Sequence, residues 1–187
     1  QAARAGKHIY CEKPLGLNLD HMLLLEKEMK RKNLHFHYGT QQRSLDHCQR
    51  GIEMVRNGRL GEIKHVDVWA PQGGGLPVNP DDKIMPEGFD FDRWLGPAPL
   101  AEYSFARCRA STGIWHTYDY ALGFIAGWGA HPLDIAVWGV KEKLKGVSSH
   151  RGLGKLFPEG MLFDTVASWD INIRYDSGFT MHFMSTD

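Results

Sequence analysis

Two short stretches of this 187-residue sequence combine residue types that do chemistry with neighbours that would hold them still. The first is Glu12-Lys13-Pro14. Proline keeps the residue before it out of the helical region, so Lys13 is held extended where the strand-like run Lys7 to Cys11 stops. At the carboxyl end of a parallel strand, such a lysine faces the crevice in which open α/β sheets bind ligands. The second stretch is Trp128-Gly129-Ala130-His131-Pro132-Leu133-Asp134. Pro132 suits the first position of a helix, which puts the His131 imidazole by a helix N-terminus. The partial positive charge there disfavours imidazolium. A neutral imidazole near pH 7 acts as general base or acid, and Asp134, one turn on, is placed to orient it. A plain structural role fits both stretches as well: a surface lysine at a strand end, and a capped, packed helix start. Residue types alone leave the two readings open.

Further candidates surround these. Gln41-Gln42-Arg43 follows a second strand-like run at its carboxyl end. Its amides and fork-shaped guanidinium suit hydroxyls or a carboxylate, and they suit an interdomain connector equally well. Trp115, His116, Tyr118, Asp119 and Tyr120 join rings to polar tips, as the face of a sugar or an ordinary core would require. Ten histidines raise the question of a metal. His35 and His37 share one face of a strand, and His116, His131, Asp134 and His182 are further candidates for gathering in space. No H-E-x-x-H or C-x-x-C signature accompanies them, and no metal is expected. Cys11, Cys48 and Cys108 are odd in number and far apart, which points to reduced thiols in a cytoplasmic protein. The glycines at 73–75, 127/129 and 152/154 match neither phosphate-binding signature. A nucleotide enzyme would therefore carry that loop upstream of Gln1.

The elements that must position these residues are legible from capping and periodicity. Gln1 to Gly6 reads as the last turn of a helix closed by Gly6. A strand over Lys7 to Cys11 follows. Next comes a helix capped by Asn18, with Met22, Leu23, Leu25, Glu26 and Met29 within it and Lys30-Arg31-Lys32 at its negative end. Leu34 to Gly39 is a second strand, and the βαβ spacing implies that the two strands are parallel. Ser44 is the expected cap of a second helix carrying Leu45, Cys48, Ile52 and Val55 and ended by Asn57-Gly58. Ile63 to Trp69 alternates as a strand, with Ile63, His65, Asp67 and Trp69 on one side. From Pro71 to Arg109 a Gly-, Pro- and Asp-rich stretch reads as an ordered surface excursion anchored by Phe89, Phe91 and Trp94. A Gly-rich turn and a short helix occupy Ile125 to Trp138. Val166–Ile173 and Gly178–Met184 form a hairpin turned by Gly178.

Composition bounds the function. Charged residues at 24% and aromatics at 11% are globular proportions, which exclude a disordered, collagenous or coiled-coil chain. Twenty-two basic against 22 acidic residues leave no field for a phosphate backbone, so no nucleic-acid partner is expected. No apolar run approaches the roughly 20 residues of a membrane-spanning helix, and no membrane partner is expected. The chain opens on Gln1 rather than Met and ends at Asp187 just past a strand, which reads as a piece cut at both ends.

Taken together, Ala5 to Leu15 (AGKHIYCEKPL), Gly39-Thr40-Gln41-Gln42-Arg43, Trp94-Leu95-Gly96-Pro97-Ala98-Pro99 and Gly129 to Asp134 (GAHPLD) resemble the glucose–fructose oxidoreductase/inositol dehydrogenase family, called Gfo/Idh/MocA. Their order and spacing match over nearly the whole chain. The resemblance implies an α/β protein. Residues 1–41 would be the C-terminal remnant of a Rossmann dinucleotide-binding domain. Residues 42–187 would be an incomplete α/β domain with a large, mainly antiparallel sheet for substrate and oligomerisation. It implies NAD or NADP as cofactor and hydride transfer to or from a sugar, cyclitol or related polyol. Lys13 and His131 would be catalytic, and Glu12, Lys13, Pro14 and Gln42 would lie at the cofactor. Arg43, Tyr118, Tyr120 and Asp134 would hold substrate. Intact members form dimers or tetramers, and the present residues alone are expected to be inactive. One departure stands out: many members have aspartate four residues before the histidine, where this sequence has Gly127. That keeps two alternatives open, a redox-assisted glycoside hydrolase or lyase with tightly held NAD, and a non-catalytic carbohydrate-binding member.

Overall fold

The structure, a computed structural model, describes residues 1–75, 83–109 and 113–186. Residues 1–6 form the expected helical turn. Gly6, at φ +71°, donates to Ala3 O (3.0 Å) while Lys7 N reaches Ala2 O (3.1 Å), the paired bonds of a glycine-closed helix end. Strand β1 (Ile9–Glu12), helix α1 (Leu19–Arg31) and strand β2 (Phe36–Gly39) make the expected βαβ unit. The strands are parallel, with Ile9 opposite Phe36 and Glu12 opposite Gly39. Asn18 caps α1, its Oδ1 accepting from the backbone of Asp20 at 2.8 Å and His21 at 3.3 Å.

Ser44 does not cap the next helix. Gln41–Ser44 wind into a 3₁₀ turn, and helix α2 (Asp46–Arg56) starts two residues later behind Leu45, which has no capping side chain. The turn is fixed from outside: Gln49 Nε2 donates to Arg43 O at 3.0 Å, and the Arg43 side chain is held by another helix. Asp46 supplies negative charge in the first turn of α2 instead.

Strand β3 (His65–Pro71) exposes His65, Asp67 and Trp69 and turns Val66, Val68 and Ala70 inward, as the alternation predicts, but Ile63 precedes the strand and packs half-buried against the core instead of sharing the exposed side. Residues 76–82 of the expected excursion lie outside the described residues. The remainder holds two short helices, α3 (Phe91–Leu95) and α4 (Phe105–Cys108). Its aromatic anchors form a cluster in which Phe91 stacks on Trp94 at 5.6 Å and meets the Tyr103 ring edge-on at 5.4 Å. Helices α5 (Gly113–His116), α6 (Phe124–Gly127) and α7 (Ala130–Val140) follow. Helix α7 begins two residues before the expected Pro132. Trp128 and Gly129 are themselves in helical conformation, so α6 runs almost directly into α7.

Strands β4 (Val147–Leu156), β5 (Val166–Tyr175) and β6 (Thr180–Thr186) complete a four-stranded sheet in the order β3-β6-β5-β4. It is antiparallel except between β3 and β6. The β5–β6 hairpin is the expected one, with Gly178 at φ +81° donating back to Tyr175 O. Strand β4 was not expected, because its polar residues and Gly152 and Gly154 lack strand periodicity. Pairing with β5 creates it, and at Gly152 an added Cβ would stand 3.1 Å from Ile171 Cγ1.

One face of this sheet is covered. Val68, Phe183 and Ile171 form a cross-strand row packed by Phe124 and Ile125 of α6 and by Leu133, Ala136 and Val137 of α7. Gly129 lets the α6–α7 joint settle there, since a Cβ at that position would stand 2.5 Å from Phe183 Cζ and collide with Ile125 O. Met181, 1% exposed, sits at the centre of this core. Met181→Ala is expected to lower unfolding free energy by about 2–5 kcal/mol, read as a shift in urea midpoint at unchanged slope.

Candidate active site

The carboxyl ends of β1 and β2 carry the first candidate residues. Glu12 ends β1, exposed, with its carboxylate lying over Gly39, where a Cβ would meet it at 2.9 Å. Lys13 and Pro14 follow, both half-buried and joined by a cis bond. The Lys13 side chain crosses to the helical layer of the larger sheet. Its Nζ donates to Gly127 O at 2.9 Å and lies 4.4 Å from the Trp115 ring centroid. Burial lowers the Lys13 pKa below its usual value, and the Glu12 charge opposes that shift. Beside it, burial raises the Tyr38 phenol, with the Leu15 backbone pulling the other way.

His131 lies half-buried in the first turn of α7, its ring 6.0 Å from that of Trp128. Among the described residues the imidazole has no hydrogen-bond partner. Its pKa is lowered, as expected, but the cause differs. Burial comes first and the Lys13 charge second, while Asp134 and Glu12 pull upward. The Lys13 charge thus reaches the imidazole. A neutral imidazole and a charged amine side by side can accept a proton and hold an oxygen.

Asp134 is committed elsewhere. Both of its oxygens accept from Arg43, at 2.6 and 2.7 Å, and the Arg43 guanidinium lies 5.5 Å from the Trp138 ring. The structure thus brings Arg43 and Asp134 together as a forked ion pair. Gln42 is half-buried in the same 3₁₀ turn. Tyr118 is exposed, its backbone N–H bonded to Asp164 Oδ1 at 2.7 Å, and Tyr120 is half-buried with its ring 5.1 Å from Trp94. These two tyrosines border clefts toward Leu17 and Pro97, and no contact joins them to Lys13 or His131 among the described residues.

The sequence reading missed the two partners of Lys13, Trp115 and the Gly127 carbonyl, and the Trp138 ring under Arg43. The single available signal was an aromatic one, because Trp115 belongs to the cluster noted above. His116 of that cluster is not on an open face. It is 1% exposed among Phe124, Phe157 and Phe163. His116, His131 and His182 are not brought together. Among the described residues no group of three or more His, Cys, Asp or Glu side chains is arranged to hold a metal ion.

Residues 69–151 match the Gfo/Idh/MocA oxidoreductase family, C-terminal alpha/beta domain. The resemblance carried by the sequence motifs is borne out, and so is the Rossmann-type and mainly antiparallel α/β architecture. A search of curated proteins finds no match. Among solved structures, an NAD-binding protein from Listeria innocua is 21% identical with TM-score 0.63, covering 98% of this chain and 41% of that one. An inositol dehydrogenase homologue from Azotobacter vinelandii, complexed with NADH and myo-inositol, is 17% identical with TM-score 0.64, covering 98% and 39%. The WlbA dehydrogenase from Chromobacterium violaceum, with NADH and UDP-GlcNAcA, is 15% identical with TM-score 0.65, covering 99% and 43%. The chain spans about two fifths of the length of these structures. Among its described residues no helix is long and apolar enough to cross a membrane.

Burial holds the His116 imidazole down at about pKa 4 from 6.5. The unfolded chain therefore binds a proton there that the folded chain refuses. Stability from this group is complete above pH 6.5 and falls as pH drops toward 4, by up to about 3 kcal/mol. Urea unfolding at pH 7.5 and 4.5 checks it. A His116→Phe variant should lose less between those two pH values than the unaltered chain.

Proposed function

We propose that this chain is part of an NAD(P)-dependent oxidoreductase acting on the CH–OH group of a sugar, cyclitol or related polyol. The observation that carries the reading is the half-buried Lys13 amine at the end of β1, bonded to the α6 backbone and acting by its charge on the His131 imidazole of α7, which has no hydrogen-bond partner among the described residues. Residues 1–41 are then the end of a dinucleotide-binding domain and 42–187 part of the substrate and oligomerisation domain. The present residues fit only the reactive end of a dinucleotide. Glu12, Lys13, Pro14 and Gln42 border the crevice, while the sequence carries no glycine-rich phosphate loop. The family and its dehydrogenase-like neighbours, several with NAD or NADH bound, support the cofactor class.

Nicotinamide, when bound, supplies the hydride acceptor or donor. The protein's part is proton and charge. His131, kept neutral by burial, takes the substrate hydroxyl proton. The Lys13 ammonium donates a hydrogen bond to the same oxygen and stabilises the negative charge that develops there. Arg43 acts on substrate only as the ion pair it forms with Asp134. Tyr118 and Tyr120 bind substrate portions farther from the reacting carbon. Cys11, Cys48 and Cys108 are free thiols, which suits a reducing cytoplasm. The outer sheet face, with the cross-strand row Trp69, Met184, Asp170 and Leu153, suits a homo-oligomer contact.

In the protein containing this chain, Lys13→Met and His131→Ala should each lower kcat by roughly 10²-fold. Because the His131 pKa lies below 6.5, the acid limb of the kcat/KM profile for alcohol oxidation should fall below pH 6.5 and vanish in His131→Ala. Near-normal turnover in either variant would remove that residue from the mechanism. A second reading is favoured by one observation: with Gly127 lacking a side chain and Asp134 held by Arg43, no carboxylate among the described residues is bonded to His131. A redox-assisted glycoside hydrolase or lyase with tightly held NAD would turn substrate over without net change at the nicotinamide absorbance band, and a non-catalytic sugar binder would not turn it over at all.

A further inference from the structure

We propose that Trp115 is a positioning residue for Lys13: its indole face and the Gly127 carbonyl together hold the ammonium at the mouth of the crevice. This rests on the role given to Lys13 above and says how this chain holds that group. Lys13 Nζ stands 4.4 Å from the Trp115 ring centroid and 2.9 Å from Gly127 O. Both contacts come from the helical layer of the larger sheet, whereas Lys13 belongs to the smaller one.

The arrangement depends on glycine at 127. A Cβ there would stand 2.7 Å from Trp115 Cε3 and 3.1 Å from Cζ3, closer than real Cβ contacts come. The Trp115 ring therefore occupies the space that any side chain at 127 would need. A π face at Lys13 and a side chain at 127 exclude each other, and this sequence has the π face.

The chemistry differs from that of an ion pair. Indole is the strongest of the natural π partners for a cation, yet it carries no net charge and takes no proton. It attracts the ammonium while removing water from it. The Gly127 carbonyl accepts one of the three N–H groups, which leaves donors for an oxygen in the crevice. The ionisable groups that act on the amine are Glu12, at the end of its own strand, and His131 on α7. Neither is hydrogen-bonded to Nζ among the described residues. Burial, the largest influence on Lys13, makes its proton easier to release than that of an open lysine.

Nuclear magnetic resonance on this 187-residue chain, with lysines labelled with ¹³C at the ε carbon, tests the proposal without cofactor or substrate. The Lys13 signal is assigned by its loss in Lys13→Met. Lying on an indole face, the Lys13 Hε protons should resonate upfield of every other lysine. Trp115→Leu should return them to the common envelope, and Trp115→Phe should keep part of the shift. Gly127→Ala, which pushes the ring away, should reduce it. An unshifted Lys13 signal in the unaltered chain overturns the proposal, whether or not the variants fold. A shift that survives Trp115→Leu also overturns it. Because nothing is turned over, the function proposed above stands or falls separately on its own kinetic test.

Discussion

The reach of the Lys13 ammonium to the α6 backbone is the contact on which the candidate site depends, because it ties the end of the small parallel sheet to the helical layer of the larger one. Each feature around it follows from close approach. The amine reaches Gly127 O because Gly127 has no side chain and Trp115 backs the position. Helix α6 then runs into α7 with scarcely a break, which requires Gly129 to sit against Phe183. Phe183 in turn belongs to the inner face of the four-stranded sheet. The sheet core therefore fixes where the first turn of α7 begins, and so where the His131 imidazole stands relative to Lys13. Packing density of this kind is intolerant of an added methylene, which makes the glycines structural parts of the site.

A second tie, the Arg43–Asp134 fork over Trp138, works on the same two regions from the other side of the crevice. Arg43 is 42% exposed, so water screens the pair and its worth in stability is no more than about 1 kcal/mol. Its geometric consequence is larger. It holds the 3₁₀ turn after β2 against α7 and commits the carboxylate nearest in sequence to His131. Two forked N–H···O bonds fix orientation in a way that a lysine's single point charge would not.

What was legible in the sequence was what is decided locally. Asn18 as a cap, the parallel βαβ unit, the alternation of β3 and the Gly178 turn each depend on residues a few positions apart, and each stands as read. The departures have a common origin in contacts distant along the chain. Ser44 loses its capping place because Arg43 is drawn to Asp134, 91 residues on. Strand β4 exists because β5 pairs with it, despite a composition that carries no strand signal. The imidazole of His131 was rightly read as lowered in pKa, but from a helix terminus that in fact lies farther back, at Ala130. Lys13 stands at its strand end as read, while its partners, the Trp115 ring and the Gly127 carbonyl, lie about a hundred residues away, and only the aromatic character of Trp115 marked either of them.

The electrostatic consequence comes from the order in which these partners are committed. Lys13 and His131 are both half-buried, and desolvation lowers both pKa values, so each disfavours its own cation. They do not yield equally. An ordinary lysine starts far above neutrality and Lys13 has a carbonyl and a π face to hold its charge, whereas the imidazole starts near 6.5 and meets the lysine's charge with no bonded partner among the described residues. Had Asp134 been bonded to His131, its charge would have favoured the imidazolium. By taking both Asp134 oxygens, Arg43 weakens that pull. The same burial thus leaves the ammonium better held than the imidazolium, a division set by which groups the fold has already paired.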